Sequence, residues 1–307
     1  MTLTGGEPQK GSSLEIAGIR VSWLPGLKPS GAIPDPLRSD AHSDVVLRVH
    51  DHPPPSIPKA EKTFDPGQTW ALFQSESHLV LQNTSLHAKI MASRFLFLAP
   101  DLKSGDVYAT GDTPQDADPL GYPLNQVLWI LLLSRGKGVL FHACGIDDEG
   151  RGYLFLGNSE DGKSTTARLW FDHGETVLND DRIVVREKSG KLWMYGTPWH
   201  GDFKEHSSRG LPIDKLFFLR HGKRNASRVK SGAEAVSMLL ARSFPPFWDK
   251  EGMAFTVEFC QRLVSNIACF ELAFVPNARM IDFVRKSSPT HRASITKAKK
   301  LITKTRK

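Results

Sequence analysis

The stretch Tyr153-Leu-Phe-Leu-Gly157-Asn-Ser-Glu-Asp-Gly162-Lys163-Ser164-Thr165-Thr166 constrains the fold more than any other part of the chain. Four apolar residues predict a short buried strand, and the run from Ser164 to about Phe171 predicts a helix. Between them lies Gly-x4-Gly-Lys-Ser, the pattern of a phosphate-binding P-loop in its strand, loop and helix setting. Gly157 and Gly162 permit the tight bend that turns main-chain N–H groups inward. The helix N-terminus adds partial positive charge, and Lys163 is long enough to reach β- and γ-phosphates. Ser164 stands where a hydroxyl ligates magnesium. Gly157, Asn158, Ser159, Glu160, Asp161, Gly162, Lys163, Ser164 and Thr165 are therefore expected to bind a nucleoside triphosphate, with ATP and Mg2+ as cofactors.

Asp180-Asp181 forms a second signal, at the end of the short apolar run Thr176–Leu178. A crossover of about a dozen residues suffices for one βαβ unit, which would lay 176–178 beside the P-loop strand. Both carboxyl ends would then meet on one ligand edge. One carboxylate would hold magnesium while its neighbour takes a proton from an attacking hydroxyl. An acidic surface turn is the alternative, and Asp-Asp alone would favour it. His142 lies fifteen positions before Gly157 in the strand-like Val139–Ile146. From the residues alone, it reads equally as a satisfied core histidine or as a group facing the phosphates. The loop Trp199–Gly210 is either a lid supplying Lys204 or Arg209 to the transferred phosphate or a plain polar surface loop.

The net charge of +7 belongs to the C-terminus. Residues 286–307 hold eight Lys or Arg and no acid, which leaves 32 of the 40 basic residues against 33 acidic ones in the rest of the chain. Nucleic acid is thus not expected as a partner, contacts of the tail aside. Cys144, Cys260 and Cys269 lack paired metal spacing and fit reduced thiols. The opening Met-Thr-Leu-Thr has no basic-then-apolar pattern, and Val127–Leu133 is too short to cross a bilayer. A soluble, cytoplasmic protein is expected.

Taken in order, residues 1–13 are expected to be disordered and 14–110 to form a β-rich domain. Its strands are read at Leu14–Leu27, Val45–His50, Trp70–Phe73, His78–Gln82 and Ala88–Leu98, with a stiff linker at His52–Pro58. A turn-rich junction, Asp112–Pro119, leads into an α/β P-loop domain over 111–285, and 286–307 is a basic tail. Within that domain a helix is expected at Leu124–Arg135, a hairpin at Arg182–Gly196, strands at Lys215–Leu219 and Arg224–Val229, and helices at Ser231–Ser243 and Phe255–Val264. Phe270–Val275 and Arg279–Val284 read as terminal strands.

Three features together carry a family resemblance. They are His142-Ala fifteen residues before the loop, Gly157-x4-Gly-Lys163-Ser164, and Asp180-Asp181 seventeen and eighteen residues beyond Lys163. In these the chain resembles the HPr kinase/phosphorylase family, whose nucleotide-binding fold is shared with ATP-dependent phosphoenolpyruvate carboxykinase. The resemblance covers about 120–200 and extends more loosely to 285. It implies an α/β P-loop nucleotide-binding core of the HPr kinase/PEP carboxykinase type with a small β-rich N-terminal domain. It also implies ATP-dependent phosphoryl transfer to a hydroxyl, a serine of a protein or peptide. Asp180 would act on the hydroxyl proton, Ser164 and Asp181 would assist magnesium, and His142 would lie beside the phosphates. HPr kinases carry Gly-x-Ser-Gly-x-Gly-Lys-Ser, and here Glu160 replaces the inner Gly. Glu160-Asp161 brings negative charge to a polyphosphate site, which weakens binding unless those side chains turn outward. A nucleotide-binding regulatory module with little transfer, and a carboxykinase-like activity, are the alternatives.

Overall fold

Among the described residues, most strand pairings are antiparallel, and several of the connecting turns hold residues at positive φ. The computed structural model describes residues 12–25, 43–56, 60–67, 69–83, 94–109 and 119–288. The expectations for residues 1–11, the linker segment 57–59, the 110–118 junction with its domain boundary, the 88–93 part of a strand, and the tail beyond 288 lie outside the described residues. The chain divides into two compact units, 1–132 and 133–307.

The first unit holds β1 (Ser12–Ile16), β2 (Ile19–Pro25), β3 (Val45–His50), β4 (Glu61–Phe64), β5 (Trp70–Gln74), β6 (Leu79–Asn83), β7 (Arg94–Leu98) and β8 (Ser104–Ala109). They form one sheet in the order β1-β2-β3-β8-β7-β6-β5-β4. The single strand expected at Leu14–Leu27 is instead a hairpin. Ala17 and Gly18 both have positive φ, so the chain reverses in two residues and Leu14 pairs with Val21. One face of the sheet buries Val21, Leu47, Val107, Leu96 and Leu81.

Helix α1 (Leu124–Ser134) spans the boundary. The second unit contains β9 (Val139–Asp148), β10 (Arg151–Leu156), β11 (Thr176–Asn179), β12 (Arg182–Lys188), β13 (Lys191–Gly196), β14 (Gly210–His221), β15 (Ala226–Lys230) and β16 (Ala268–Phe274). Its helices are α2 (Lys163–Asp172), α3 (Gly232–Leu240), α4 (Lys250–Asn266) and α5 (Arg279–Lys286). Strands run β10-β9-β12-β13-β14-β16-β15, with β11 on β9 and a further parallel pairing of β10 with β14. Strand β10 is fully buried from Tyr153 to Leu156 because both its faces are covered. Leu154 and Leu156 pack with Leu239 of α3 and Phe259 of α4, while Tyr153 and Phe155 pack with Trp170 of α2 and Met280 of α5.

The expected fold class is overturned. Strand makes up 42% of the described residues and helix 23%, in two large mixed sheets, so the chain is not a clear α/β P-loop core. The physical reason lies in two tight reversals, at Glu149-Gly150 and Ser189-Gly190, all four residues at positive φ. They make β9–β10 and β12–β13 antiparallel hairpins where a repeating βαβ chain would place crossovers. Two smaller readings change as well. Strand β11 does not lie beside β10, because β9 runs between them and Ile146 pairs with both Tyr153 and Val177. Since β9 is antiparallel to each, β10 and β11 still point their carboxyl ends the same way. Arg279–Val284 is helical, since Met280, Ile281 and Val284 are the buried positions and share one helical face.

Candidate functional site

The glycine-rich loop leaves β10 at Gly157 and enters α2 at Lys163. Glu160 and Gly162 take positive φ, and Gly162 stands at the N-cap with φ 97°. A Cβ at Gly162 would lie 2.7 Å from Cζ of Phe274, so a side chain there would force the ring at the end of β16 to shift. His221, at the end of β14, holds the loop from the same side through Nε2 at 2.8 Å from the Glu160 carbonyl.

Lys163 is buried and donates to two carbonyls of its own loop, Gly157 O at 3.0 Å and Asn158 O at 2.8 Å. Burial pushes its pKa down, and the nearby Asp181 and Asp161 charges oppose that shift. Asp161 turns inward, not outward: its Oδ2 accepts the Asn158 amide at 2.6 Å. The first intrahelical bond of α2 runs from Thr166 N to Gly162 O. The amides of Lys163, Ser164 and Thr165 therefore precede the helix ladder, in the positions where helix N-termini receive anions. Asn158, Ser159 and Glu160 are exposed.

Ser164 Oγ donates to Asp180 Oδ2 at 2.6 Å, which joins the first turn of α2 to the acid pair beyond β11. Asp180 is 1% exposed and also accepts the amides of Gly201 (2.7 Å) and Phe203 (3.0 Å). Asp181 is engaged on Oδ1 by His142 Nε2 at 2.9 Å and Arg182 Nη1 at 2.6 Å. Burial alone would raise the Asp181 pKa, but the His142 hydrogen bond and the Arg182 and Lys163 charges outweigh it and hold the carboxyl below its ordinary value. His142 reaches this position because β9 continues past its pairing with β10 and pairs there with β12, opposite Arg182.

All three expected catalytic residues, Lys163, Asp180 and His142, thus lie at one strand edge, with Ser164 and Asp181 between them. Several supporting residues carry no motif. Asn179 is fully buried: its Oδ1 accepts the Asp181 and Arg182 amides, and its Nδ2 donates to Thr197 O. Arg182 lies 4.3 Å from the ring centre of Phe244, a stacked position that fixes the guanidinium on Asp181. No local pattern could have found Gly201 and Phe203, which act through main-chain N–H groups.

Of the two cations that a lid at Trp199–Gly210 would supply, Arg209 is bound to Asp147 at 3.1 Å. Asp147 pairs with Gly152 at the start of β10, the end of the strand away from the loop. Lys204 is exposed. At that far end Asp148, fully buried, is held by Arg285 (2.6 Å), which also binds Glu175 (2.8 Å). Cys144, Cys260 and Cys269 are all buried, and burial pushes the Cys260 and Cys269 thiols up to about 12. No group of three or more His, Cys, Asp or Glu forms a metal cage among the described residues. No helix among them is long and apolar enough to cross a membrane.

No family model matches this sequence, and no curated protein matches it. The structure is similar to the Hpr(Ser) kinase/phosphatase from Coxiella burnetii at 13% identity and a TM-score of 0.31, over 48% of this chain and 93% of that chain. A likeness of that size carries no argument about fold or activity.

Proposed function

We propose that this protein is an ATP-dependent, magnesium-assisted phosphotransferase acting on a hydroxyl, a serine of a protein or peptide. The observation that carries this reading is the 2.6 Å bond from Ser164 to Asp180. It brings a lysine-bearing glycine loop and a pair of carboxylates to one point.

The residues fit the two cofactors. The Asp161 carboxylate stands in for an anion, since it occupies a loop amide that a phosphate oxygen would take. Ser164 and the carboxylates supply only oxygen donors, which suits a hard cation that keeps most of its own water. When bound, magnesium would neutralise charge on the β- and γ-phosphates. Ser164 and Asp181 would hold it, and Lys163 would exchange its two loop carbonyls for phosphate oxygens. His142 and Arg182 keep Asp181 ionised. Asp180, fixed by the Gly201 and Phe203 amides, would accept the proton of the attacking hydroxyl once Ser164 turns away.

Lys163→Ala should abolish ATP binding, while Asp180→Asn should keep binding and lower transfer by roughly 10²–10⁴-fold. Full transfer by both variants would refute the assignment. A second reading, a nucleotide-responsive module without transfer, is favoured by one fact: Asp180 already accepts three hydrogen bonds. Labelled ATP mixed with cell extract separates the two, because the module yields binding with no labelled acceptor and no hydrolysis.

A further inference from the structure

The segment Arg220–Lys230 carries five Lys or Arg and no acidic residue, in a unit whose charges are otherwise mixed. It comprises the end of β14, the connection 222–225 and strand β15. Arg220, His221, Lys223, Arg224 and Arg228 are all exposed. Arg220 leans on Glu271, while Lys230 is buried between Glu234 and Glu271. Both neighbouring acids are thereby engaged, and the segment presents positive charge.

Two further facts give this charge a direction. Among the described residues, strand β15 ends the sheet order and pairs with β16 alone, which leaves its other side an open strand edge there. Val229 on it is 49% exposed. The connection from β14 also lies at the same sheet edge as the glycine loop. Strands β10, β14 and β16 run parallel, and His221 bonds the Glu160 carbonyl. A chain paired to β15 would therefore run along a row of cations to the edge where the loop sits.

We propose that β15 and the 222–225 connection dock an extended acidic segment of the phosphate acceptor, which pairs with the strand edge and aligns its carboxylates with Lys223, Arg224 and Arg228. Main-chain bonds to an open edge supply sequence-tolerant affinity, and the cations select negative charge and speed encounter. This rests on the phosphotransferase reading, whose acceptor it assigns to a chemical class.

The test uses the full chain and three fluorescent twelve-residue peptides built around one serine: one rich in Asp and Glu, one with Gln in their place, and one with Lys. Anisotropy should show the acidic peptide binding wild type, weakening as salt rises, and the Gln and Lys peptides binding at least tenfold more weakly. Arg224→Glu with Arg228→Glu should weaken the acidic peptide by about tenfold or more, whereas Lys188→Glu with Lys191→Glu, on another exposed turn, should not. Equal binding by wild type and the Arg224/Arg228 variant, or no binding to wild type, would overturn the proposal. So would a single-stranded oligonucleotide that binds while the acidic peptide does not. ATP binding and label transfer from ATP in cell extract are measured separately on wild type and Lys163→Ala. Loss of the phosphotransferase reading would show there as absent ATP binding, or as binding with no labelled acceptor and no hydrolysis, whereas failure of the docking edge alone would leave ATP binding and turnover intact.

Discussion

Replacing Asp161 by Asn keeps the side chain's shape but removes the charge that the glycine loop directs onto its own amide. Asp161 accepts the Asn158 N–H at 2.6 Å, and a polyphosphate must displace this carboxylate to use that amide. A hydrogen bond to a charged acceptor contributes about 1.5–3 kcal/mol, and this one lies at the partly exposed mouth of the loop, which brings it to about 1–2 kcal/mol. At 1.4 kcal/mol per tenfold change, Asp161→Asn should tighten ATP by roughly five- to thirtyfold. The variant removes one of the charges that oppose the downward push of burial on Lys163, and Asp181 remains. Titration calorimetry with ATP and with inorganic triphosphate, on wild type, Asp161→Asn and Lys163→Ala, reads the effect directly. An Asp161→Asn protein that is folded but binds ATP equally or more weakly would refute the reasoning, because the carboxylate would then be organising the loop and not occupying it.

Other outcomes follow from the same geometry. Arg285→Met takes one of two paired guanidinium groups from the fully buried Asp148, leaving the Arg151 pair, and should cost about 2–4 kcal/mol in urea unfolding. Adding Asp148→Asn should recover part of that loss, and no recovery would show that the ion pair is not the cause. Gly162→Ala places a methyl against Phe274 at positive φ, so it should cost about 1–3 kcal/mol and weaken nucleotide binding with it. Unchanged melting and binding would contradict the close approach. Asp181 and Asp148 both have folded pKa values below the ordinary 3.8, so the folded state binds fewer protons than the unfolded chain in that range. Their stabilisation is complete above the ordinary carboxylate value and is lost as pH falls through the depressed ones. The acid limb of a pH–stability curve should therefore be shallower for Asp181→Asn than for wild type, and parallel limbs would refute the shift.

What could be read from the residues was local. Four consecutive apolar residues, two glycines at a fixed spacing and Lys-Ser before a helical run are consecutive in the chain, so their strand, loop and helix follow from short-range preferences. The meeting of Ser164 with Asp180 was also within reach, because a short crossover from a parallel strand returns its carboxyl end to the same edge. Tertiary structure decided the rest. It inserted β9 between β10 and β11, which brings His142 onto Asp181 from a strand far off in sequence. It also set the Gly201 and Phe203 amides on Asp180 and the Phe244 ring under Arg182. Main-chain donors look alike at every residue, and strand pairing over long separations is chosen by the summed burial of both faces. Neither leaves a local pattern, so a hairpin such as Arg182–Gly196 could be read by itself, while the way the hairpins join into mixed sheets, where an α/β core was expected, could not.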